Sequence, residues 1–184
     1  MLVSEIMLQQ TQVSRVSEYW PRFLTRYPTV EDLAAAPADA VRESWDGLGH
    51  YARARNLHAA ARHVVVALDG RMPATAETLR GLPGIGRYTA GAVASIAFGE
   101  PAAAVDTNAA RVLARVFRLR GKAKSARRER RLCALAEALV PARAAGDWNQ
   151  ALMDLGATIC TARAPRCPAC PVRRVCATVE RRGE

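Results

Sequence analysis

The chain has 184 residues, half of them hydrophobic, which fits one domain or two small lobes and excludes wholesale disorder. Its 27 lysines and arginines outnumber 17 aspartates and glutamates, for a formal net charge of +10. This excess favours a polyanionic partner such as nucleic acid, although a chain whose only lysines are Lys122 and Lys124 also reflects the base composition of its genome. No apolar run reaches the roughly 18 residues of a membrane helix and no secretory signal opens the chain, so we expect a cytosolic protein.

Helical periodicity dominates the sequence and no segment alternates with a period of two, so we predict an all-α fold. Ser4 is predicted to cap a first helix that ends near Trp20, because Pro21 follows it. The segment 118–131 holds eight basic residues and one acidic residue, and is predicted to be a solvated loop or helix start. The other predicted helices are, in chain order, 30–36, 38–46, 52–68, 75–80, 87–98, 109–119, 131–140 and 147–159.

Four of the five cysteines, namely Cys160, Cys167, Cys170 and Cys176, lie within 17 residues with the spacing C-x6-C-x2-C-x5-C. The odd count and the lack of a secretory signal argue against a disulfide framework. Structural zinc usually pairs two short knuckles, and only Cys167 and Cys170 form one. The spacing therefore favours a [4Fe–4S] cluster, with zinc as the alternative. Cys133 falls in an apolar helical pattern and is predicted to be a buried thiol.

The turn Leu82-Pro83-Gly84-Ile85-Gly86 separates two predicted helices. Its glycines would let the backbone approach a ligand closely, with amide groups directed outward at a helix N-terminus. Such amides bind phosphate without reading sequence. An ordinary helix–helix turn is the alternative interpretation.

Two carboxylates stand in contrasting surroundings. Asp106 precedes a predicted helix, where it would act as an N-cap and stay ionised. Glu5 stands beside Ile6 and Met7, an apolar setting that favours a raised pKa, although a first-turn carboxylate can simply complement the helix dipole. A proton donor paired with a fixed anion is the arrangement that breaks glycosidic bonds.

Taken together, these motifs resemble those of adenine DNA glycosylases, which belong to the helix-hairpin-helix superfamily. The resemblance covers residues 2–176. It rests on six motifs: Ser4 to Val13, Gly47 to Gly49 with Tyr51 to Asn56, the hairpin 82–91, Val105 and Asp106 with Asn108, Asn149 to Gly156, and the cysteine loop.

The fold that this resemblance implies has two helical lobes, a six-helix barrel and a lobe that holds an iron–sulfur cluster. Residues 1–20 would begin the cluster lobe and carry the catalytic helix. Residues 21–108 would form the barrel with the hairpin at 75–98, and residues 109–184 would hold the cysteine loop at 160–176. We expect a monomer that binds double-stranded DNA containing a mispair.

The resemblance also implies the catalytic residues. Glu5 matches the residue that protonates adenine and activates water, and Asp106 matches the residue that stabilises the sugar cation. Tyr88 and Asn108 match supporting positions, and Gln150 matches a position beside the extruded base. The implied reaction is excision of adenine mispaired with 8-oxoguanine or guanine, after extrusion of the base from the duplex.

Contacts to DNA are implied elsewhere in the chain. Gln9 and Gln10 match the segment that approaches the opposite base, and His50 stands where the family usually has a tyrosine wedge. Three hairpin residues match the phosphate-binding turn: Leu82, Gly84 and Gly86.

Two departures from the family pattern keep other functions open. We expect the protein to lack the segment with a Leu-Pro-Trp-Arg motif that precedes the match of Glu5 in the family, and also the C-terminal domain that senses 8-oxoguanine. A thymine glycosylase of the same superfamily acting on T:G mispairs, or a catalytically impaired DNA-binding fragment, therefore stays an alternative. A strand-cleaving β-lyase is disfavoured, because Tyr88 stands where endonuclease III carries its lysine.

Overall fold

The computed structural model describes residues 1–122 and 125–179, which form ten α-helices and two short 3₁₀ turns and contain no strand. The predicted all-α class is confirmed. None of these helices has the length and apolar character needed to cross a membrane. The helices are α1 (Leu2–Leu8), α2 (Val13–Arg26), α3 (Val30–Ala35), α4 (Ala38–Glu43), α5 (Ala52–Ala67), α6 (Ala76–Leu79), α7 (Arg87–Phe98), α8 (Thr107–Val116), α9 (Ala126–Leu139) and α10 (Ala145–Thr158).

The chain divides into two compact units between Val93 and Ala94, inside α7. The first unit holds α1 to α6 and most of the hairpin helix, and the second holds α8 to α10 and the cysteine loop. The lobe boundaries expected at residues 20 and 108 stay predictions. Residues 123, 124 and 180–184, which belong to the expected cluster lobe and in part to the basic segment 118–131, lie outside the described residues.

The prediction of a single helix up to Trp20 is wrong, because two helices occupy this region. Gln10 has a φ of 58°, which no helical residue adopts, and α2 begins only at Val13. Ser4 lies inside α1 and donates its hydroxyl to the Met1 carbonyl at 2.7 Å, so it is not the cap. Pro21 lies inside α2, and the helical carbonyl that loses its donor there belongs to an exposed residue, Ser17.

Helix α5 organises the first unit, where α1, α3 and α4 pack against it. An aromatic cluster anchors α2 beside the turn that follows α4. Phe23 contacts Tyr27 and Trp45 edge-on, with ring centroids 5.0 Å and 5.8 Å apart, and Trp45 is fully buried. These buried faces hold in place the two turns, after α1 and before α5, that carry several predicted site residues.

In the second unit, α8 packs against α10 and α9. The backbones of α8 and α10 approach closely at Gly156, where an added Cβ would lie 2.7 Å from both the Cβ and the carbonyl oxygen of Asn108. Helix α9 begins at Ala126 with Ser125 as its side-chain cap, so part of the basic segment is helical. Because glycine stands at position 156, α10 can lie directly against the start of α8.

A buried amide fixes the segment that leads into α8. Asn149 in α10 is 1% exposed and accepts a hydrogen bond from the Ala104 amide at 3.1 Å. Its own amide donates to the Ser95 hydroxyl at 2.9 Å and to the Ala102 carbonyl at 2.8 Å. The side chain thereby satisfies two backbone groups of an irregular segment that ends at Asp106.

We predict that Asn149→Ala lowers the free energy of unfolding by about 3 kcal/mol, because it removes the hydrogen-bond partner of the buried Ala104 amide and of the Ala102 carbonyl. Urea denaturation followed by circular dichroism measures this loss. Asp154→Ala, an exposed change on the same helix, is the control and should alter stability little. Equal denaturation midpoints for the two variants would contradict the assigned role of Asn149.

Candidate active site

Asp106 is held at both carboxylate oxygens. As the N-cap of α8 it accepts a hydrogen bond from the Ala109 amide through Oδ1 at 2.7 Å. Its Oδ2 accepts a second bond from the Asn108 side-chain amide at 3.0 Å. The expected N-cap is thus confirmed, and these two donors orient the carboxylate.

The Asn108 side chain also accepts a hydrogen bond from an arginine. Arg111 Nη2 donates to Asn108 Oδ1 at 2.7 Å, which fixes which end of the amide faces Asp106. The same guanidinium donates to the Gly156 carbonyl at 2.7 Å and, through Nε, to the Cys160 carbonyl at 2.8 Å. One side chain therefore links the surroundings of Asp106 to the end of α10 and to the first cysteine of the loop.

Glu5 lies in α1, in the first unit, whereas Asp106 lies in the second. The Glu5 side chain is half-buried, and the next two residues of α1, Ile6 and Met7, are 2% and 0% exposed. The apolar setting expected for the Glu5 carboxylate stays a prediction. Tyr88, in the first turn of α7, is also half-buried.

The turns that follow α1 and precede α5 border one groove of about 570 Å³. Gln10 and His50 line it, both are exposed, and both have positive φ angles of 58° and 51°. Gln9 does not line this groove, because its amide donates to the Thr89 hydroxyl at 3.3 Å. Sequence reasoning placed Gln9 and Gln10 together, and the structure assigns them different surroundings.

The three predicted phosphate-binding residues of the hairpin between α6 and α7 differ in their burial and in the space around them. The Leu82 side chain is 3% exposed and belongs to the core, so only its backbone is available. Gly84 has a φ of 75°, and a Cβ there would lie 2.5 Å from the Cβ of Asn56, so glycine is required for the hairpin to pack on α5. A Cβ at Gly86 would meet nothing within 4 Å. Gly86 is the open position of the turn.

Gln150 lies on the exposed side of α10, where its amide donates to the Gly146 carbonyl at 3.4 Å. Its expected position beside an extruded base stays a prediction. The neighbouring buried Asn149, to which the sequence assigned no role, is the residue that orders the approach to Asp106.

The four clustered cysteines all line one cavity of about 190 Å³ in the second unit. Their thiols are free, and Cys133 is half-buried in α9 rather than fully buried as expected. Among the described residues, no group of three or more His, Cys, Asp or Glu side chains is arranged to hold a metal ion. The residues of the cysteine set are Cys160, Cys167, Cys170 and Cys176.

Arginines surround this cavity. Arg115 Nη1 donates to the Sγ of Cys160 at 3.3 Å and to the Thr161 carbonyl at 2.8 Å, and its Nη2 donates to the Ala162 carbonyl at 3.0 Å. Arg163 also lines the cavity, as does Arg173. In the described part of the chain, three arginines therefore line the cavity together with the four cysteines.

Sequence reasoning missed the roles of Arg111 and Arg115. Both lie on α8 four residues apart, a spacing that places them on one side of the helix. Because arginine is so frequent in this chain, the spacing of these two residues did not indicate a specific role for them. Their importance follows from the carbonyls that they contact some 45 residues later in the chain.

Comparison with known proteins identifies the family. Residues 3–138 match the family described as HhH-GPD superfamily base excision DNA repair protein. The chain belongs to this superfamily. The predicted superfamily is therefore confirmed, and the all-α fold gains a second line of support.

Curated relatives in the superfamily are adenine DNA glycosylases. The protein of Homo sapiens is 50% identical over 180 residues, which are 97% of this chain and 33% of the human protein. That of Mycolicibacterium smegmatis is 44% identical over 171 residues, 93% of this chain and 58% of the relative. The predicted resemblance to adenine DNA glycosylases is confirmed, and the chain spans about a third of the human relative.

Solved structures give the same fold. A thermostable thymine-DNA glycosylase superposes with a TM-score of 0.87 at 34% identity, covering 98% of this chain and 83% of that one. Endonuclease III in a non-covalent DNA complex superposes with a TM-score of 0.79 at 27% identity, covering 99% of this chain and 84% of that one. The roles of individual site residues stay predictions.

Proposed function

We propose that this chain is a monofunctional DNA glycosylase that excises adenine mispaired with 8-oxoguanine or guanine. The observation that carries the proposal is Asp106, whose carboxylate is fixed at both oxygens at the start of α8. Identity of up to 50% to adenine DNA glycosylases supports adenine as the base. Double-stranded DNA with a mispair would be the substrate and a monomer the active form.

The reaction needs a proton donor and a fixed anion. As the glycosidic bond breaks, electrons move to the departing adenine and positive charge develops on the sugar. Glu5 would protonate the base and then, as a carboxylate, accept a proton from the attacking water. Asp106 would face the sugar cation. Because its donors are already in place, little reorganisation is needed as charge develops.

Tyr88 explains why the strand would stay intact. Strand cleavage by a Schiff base needs an amine at the sugar carbon, and the hairpin helix begins with Arg87-Tyr88, without a lysine. A phenol cannot form that adduct. Water would therefore be the nucleophile, and the product would be an abasic site in an unbroken strand.

DNA would bind through phosphates. The net charge of +10 supports this, as do the amides of the hairpin turn at the start of α7. The open position Gly86 lets a phosphate oxygen approach that turn closely. Gln10 would approach the base opposite the target adenine, and His50 would wedge into the base stack beside it.

The cysteine set would hold a [4Fe–4S] cluster. Four free thiols that line one cavity among arginines fit a group with four thiolate ligands, and the loop has few buried side chains of its own. When bound, the cluster would supply folding energy to the loop. Ordering of Cys160 in turn holds Arg111 and, through it, Asn108.

A T:G thymine glycosylase is the second candidate. The solved thymine-DNA glycosylase, 34% identical to this chain, supports it. The two candidates differ in the base released and share the roles of Glu5 and Asp106.

We predict that Glu5→Gln and Asp106→Asn each slow single-turnover adenine excision at least about 100-fold, the scale expected for losing an acid or an electrostatic stabiliser. Asparagine is itself a good N-cap, so α8 should survive the second change. Asp147→Asn, in the first turn of α10, is the matched control and should retain activity. Excision by Glu5→Gln at the wild-type rate would refute the assignment of the acid.

Gly86→Asp should weaken binding to matched and mispaired duplexes alike, by about tenfold at low salt, because it sets a carboxylate against a phosphate. Gly86→Ala, for which the structure has room, isolates the charge from the side chain and should bind nearly as wild type does. Fluorescence anisotropy with labelled duplexes measures both. Equal affinities for the two variants would indicate that the hairpin is an ordinary turn that does not bind phosphate.

Protein purified without oxygen should contain about four iron atoms per chain and absorb broadly in the blue, as a [4Fe–4S] cluster does. Cys167→Ser should lose iron, colour and solubility together, whereas Cys133→Ser should keep all three. Elemental analysis and absorbance read this out without any assay of activity. Stoichiometric zinc in place of iron would contradict the cluster.

A further inference from the structure

Arg53, in the first turn of α5, is a buried arginine that holds the end of α1. Its side chain is 8% exposed. Nη1 donates to the carbonyls of Ile6 at 3.1 Å, Met7 at 2.6 Å and Gln9, and Nη2 donates to the Thr11 hydroxyl at 3.0 Å. These acceptors are the last carbonyls of the helix that carries Glu5 and the turn that follows it.

The same guanidinium also holds a second turn. Nη2 donates to the carbonyls of Leu48 and Gly49, each at 3.1 Å, in the loop that leads into α5. The group stacks over the indole of Trp45 with its central carbon 5.6 Å from the ring centroid. Burial lowers the pKa of Arg53 below that of a free arginine. Within the part of the chain that the structure describes, all six acceptors are uncharged.

Each turn contains one residue other than glycine in the left-handed region. Gln10 and His50 have φ angles of 58° and 51°, which cost free energy for residues other than glycine and persist only when the surroundings impose them. Arg53 binds the carbonyl immediately before each of them, that of Gln9 and that of Gly49. One side chain therefore imposes both strained conformations and fixes their separation.

We infer that Arg53 is a positioning residue for recognition of the opposite base. It holds Gln10 and His50, two exposed side chains that line the groove, in one fixed relation, so that both engage the duplex together. This role rests on the proposed glycosylase function, in which these side chains face the base opposite the target and the stack beside it. Discrimination between 8-oxoguanine and guanine then depends on a residue that touches neither.

Arg53→Lys tests this directly. A lysine keeps the charge but has three donors on one nitrogen, which cannot reach both turns. Val64→Ala is the control, because Val64 is 1% exposed on the same helix and lies eleven residues away, about 16 Å along its axis. Both substitutions remove contacts in the buried core, but only Arg53→Lys removes the hydrogen bonds that hold the two turns.

Hydrogen exchange of the free protein gives a readout independent of activity. In Arg53→Lys, amides of segments 9–12 and 48–51 should exchange together about tenfold faster, and the control should leave both near wild type. Unchanged exchange in either segment would overturn the positioning role. Should Arg53→Lys not fold, Thr11→Val removes one contact and should speed exchange in segment 9–12.

Excision kinetics give the second readout. The ratio of adenine excision rates opposite 8-oxoguanine and opposite guanine should fall at least about fivefold in Arg53→Lys, and the control should preserve it. Equal slowing against both opposite bases would assign Arg53 a merely structural role. If the wild type releases no adenine, the proposed function fails, and the exchange data still decide whether Arg53 couples the two turns.

Discussion

Helices end with carbonyls that have no partner in the same helix, and in this chain arginine side chains supply the missing donors. Arg53 binds the last carbonyls of α1 and the turn before α5. In the second unit, Arg111 and Arg115 do the same for the end of α10 and the start of the cysteine loop. The turns that carry the candidate site are short and irregular, so these guanidinium–carbonyl bonds act together with helix packing to hold them in place.

This use of arginine bears on the electrostatics of the whole chain. Carbonyls accept hydrogen bonds without neutralising the donor, so buried Arg53 and half-buried Arg111 and Arg115 keep their contribution to the net charge of +10. Arginine therefore has two roles in this chain. It gives the surface the positive charge that attracts phosphate, and it holds the turns of the fold in place. Arginines also line the cysteine cavity, where Arg115 binds the carbonyls of Thr161 and Ala162.

Local patterns predicted the elements well. Periodicity located most helices, Asp106 was correctly expected as a cap, and the cysteine spacing predicted side chains that line one cavity. The break at Gln10 and the continuation through Pro21 were missed, because each depends on what surrounds the backbone. Arg53 was missed for a related reason: four of its six acceptors lie more than 40 residues earlier in the chain, a separation that no local pattern reports.

The identity of the released base tests the central claim most directly. Wild-type protein is incubated in excess over duplexes that contain A opposite 8-oxoguanine, A opposite guanine, or T opposite guanine, and the free bases are measured by mass spectrometry. We expect free adenine from the first two duplexes, and each DNA strand should stay intact until alkali is added. Release of thymine alone would favour the T:G glycosylase, and release of no base from any duplex would contradict the assignment of Glu5 and Asp106 as a catalytic pair.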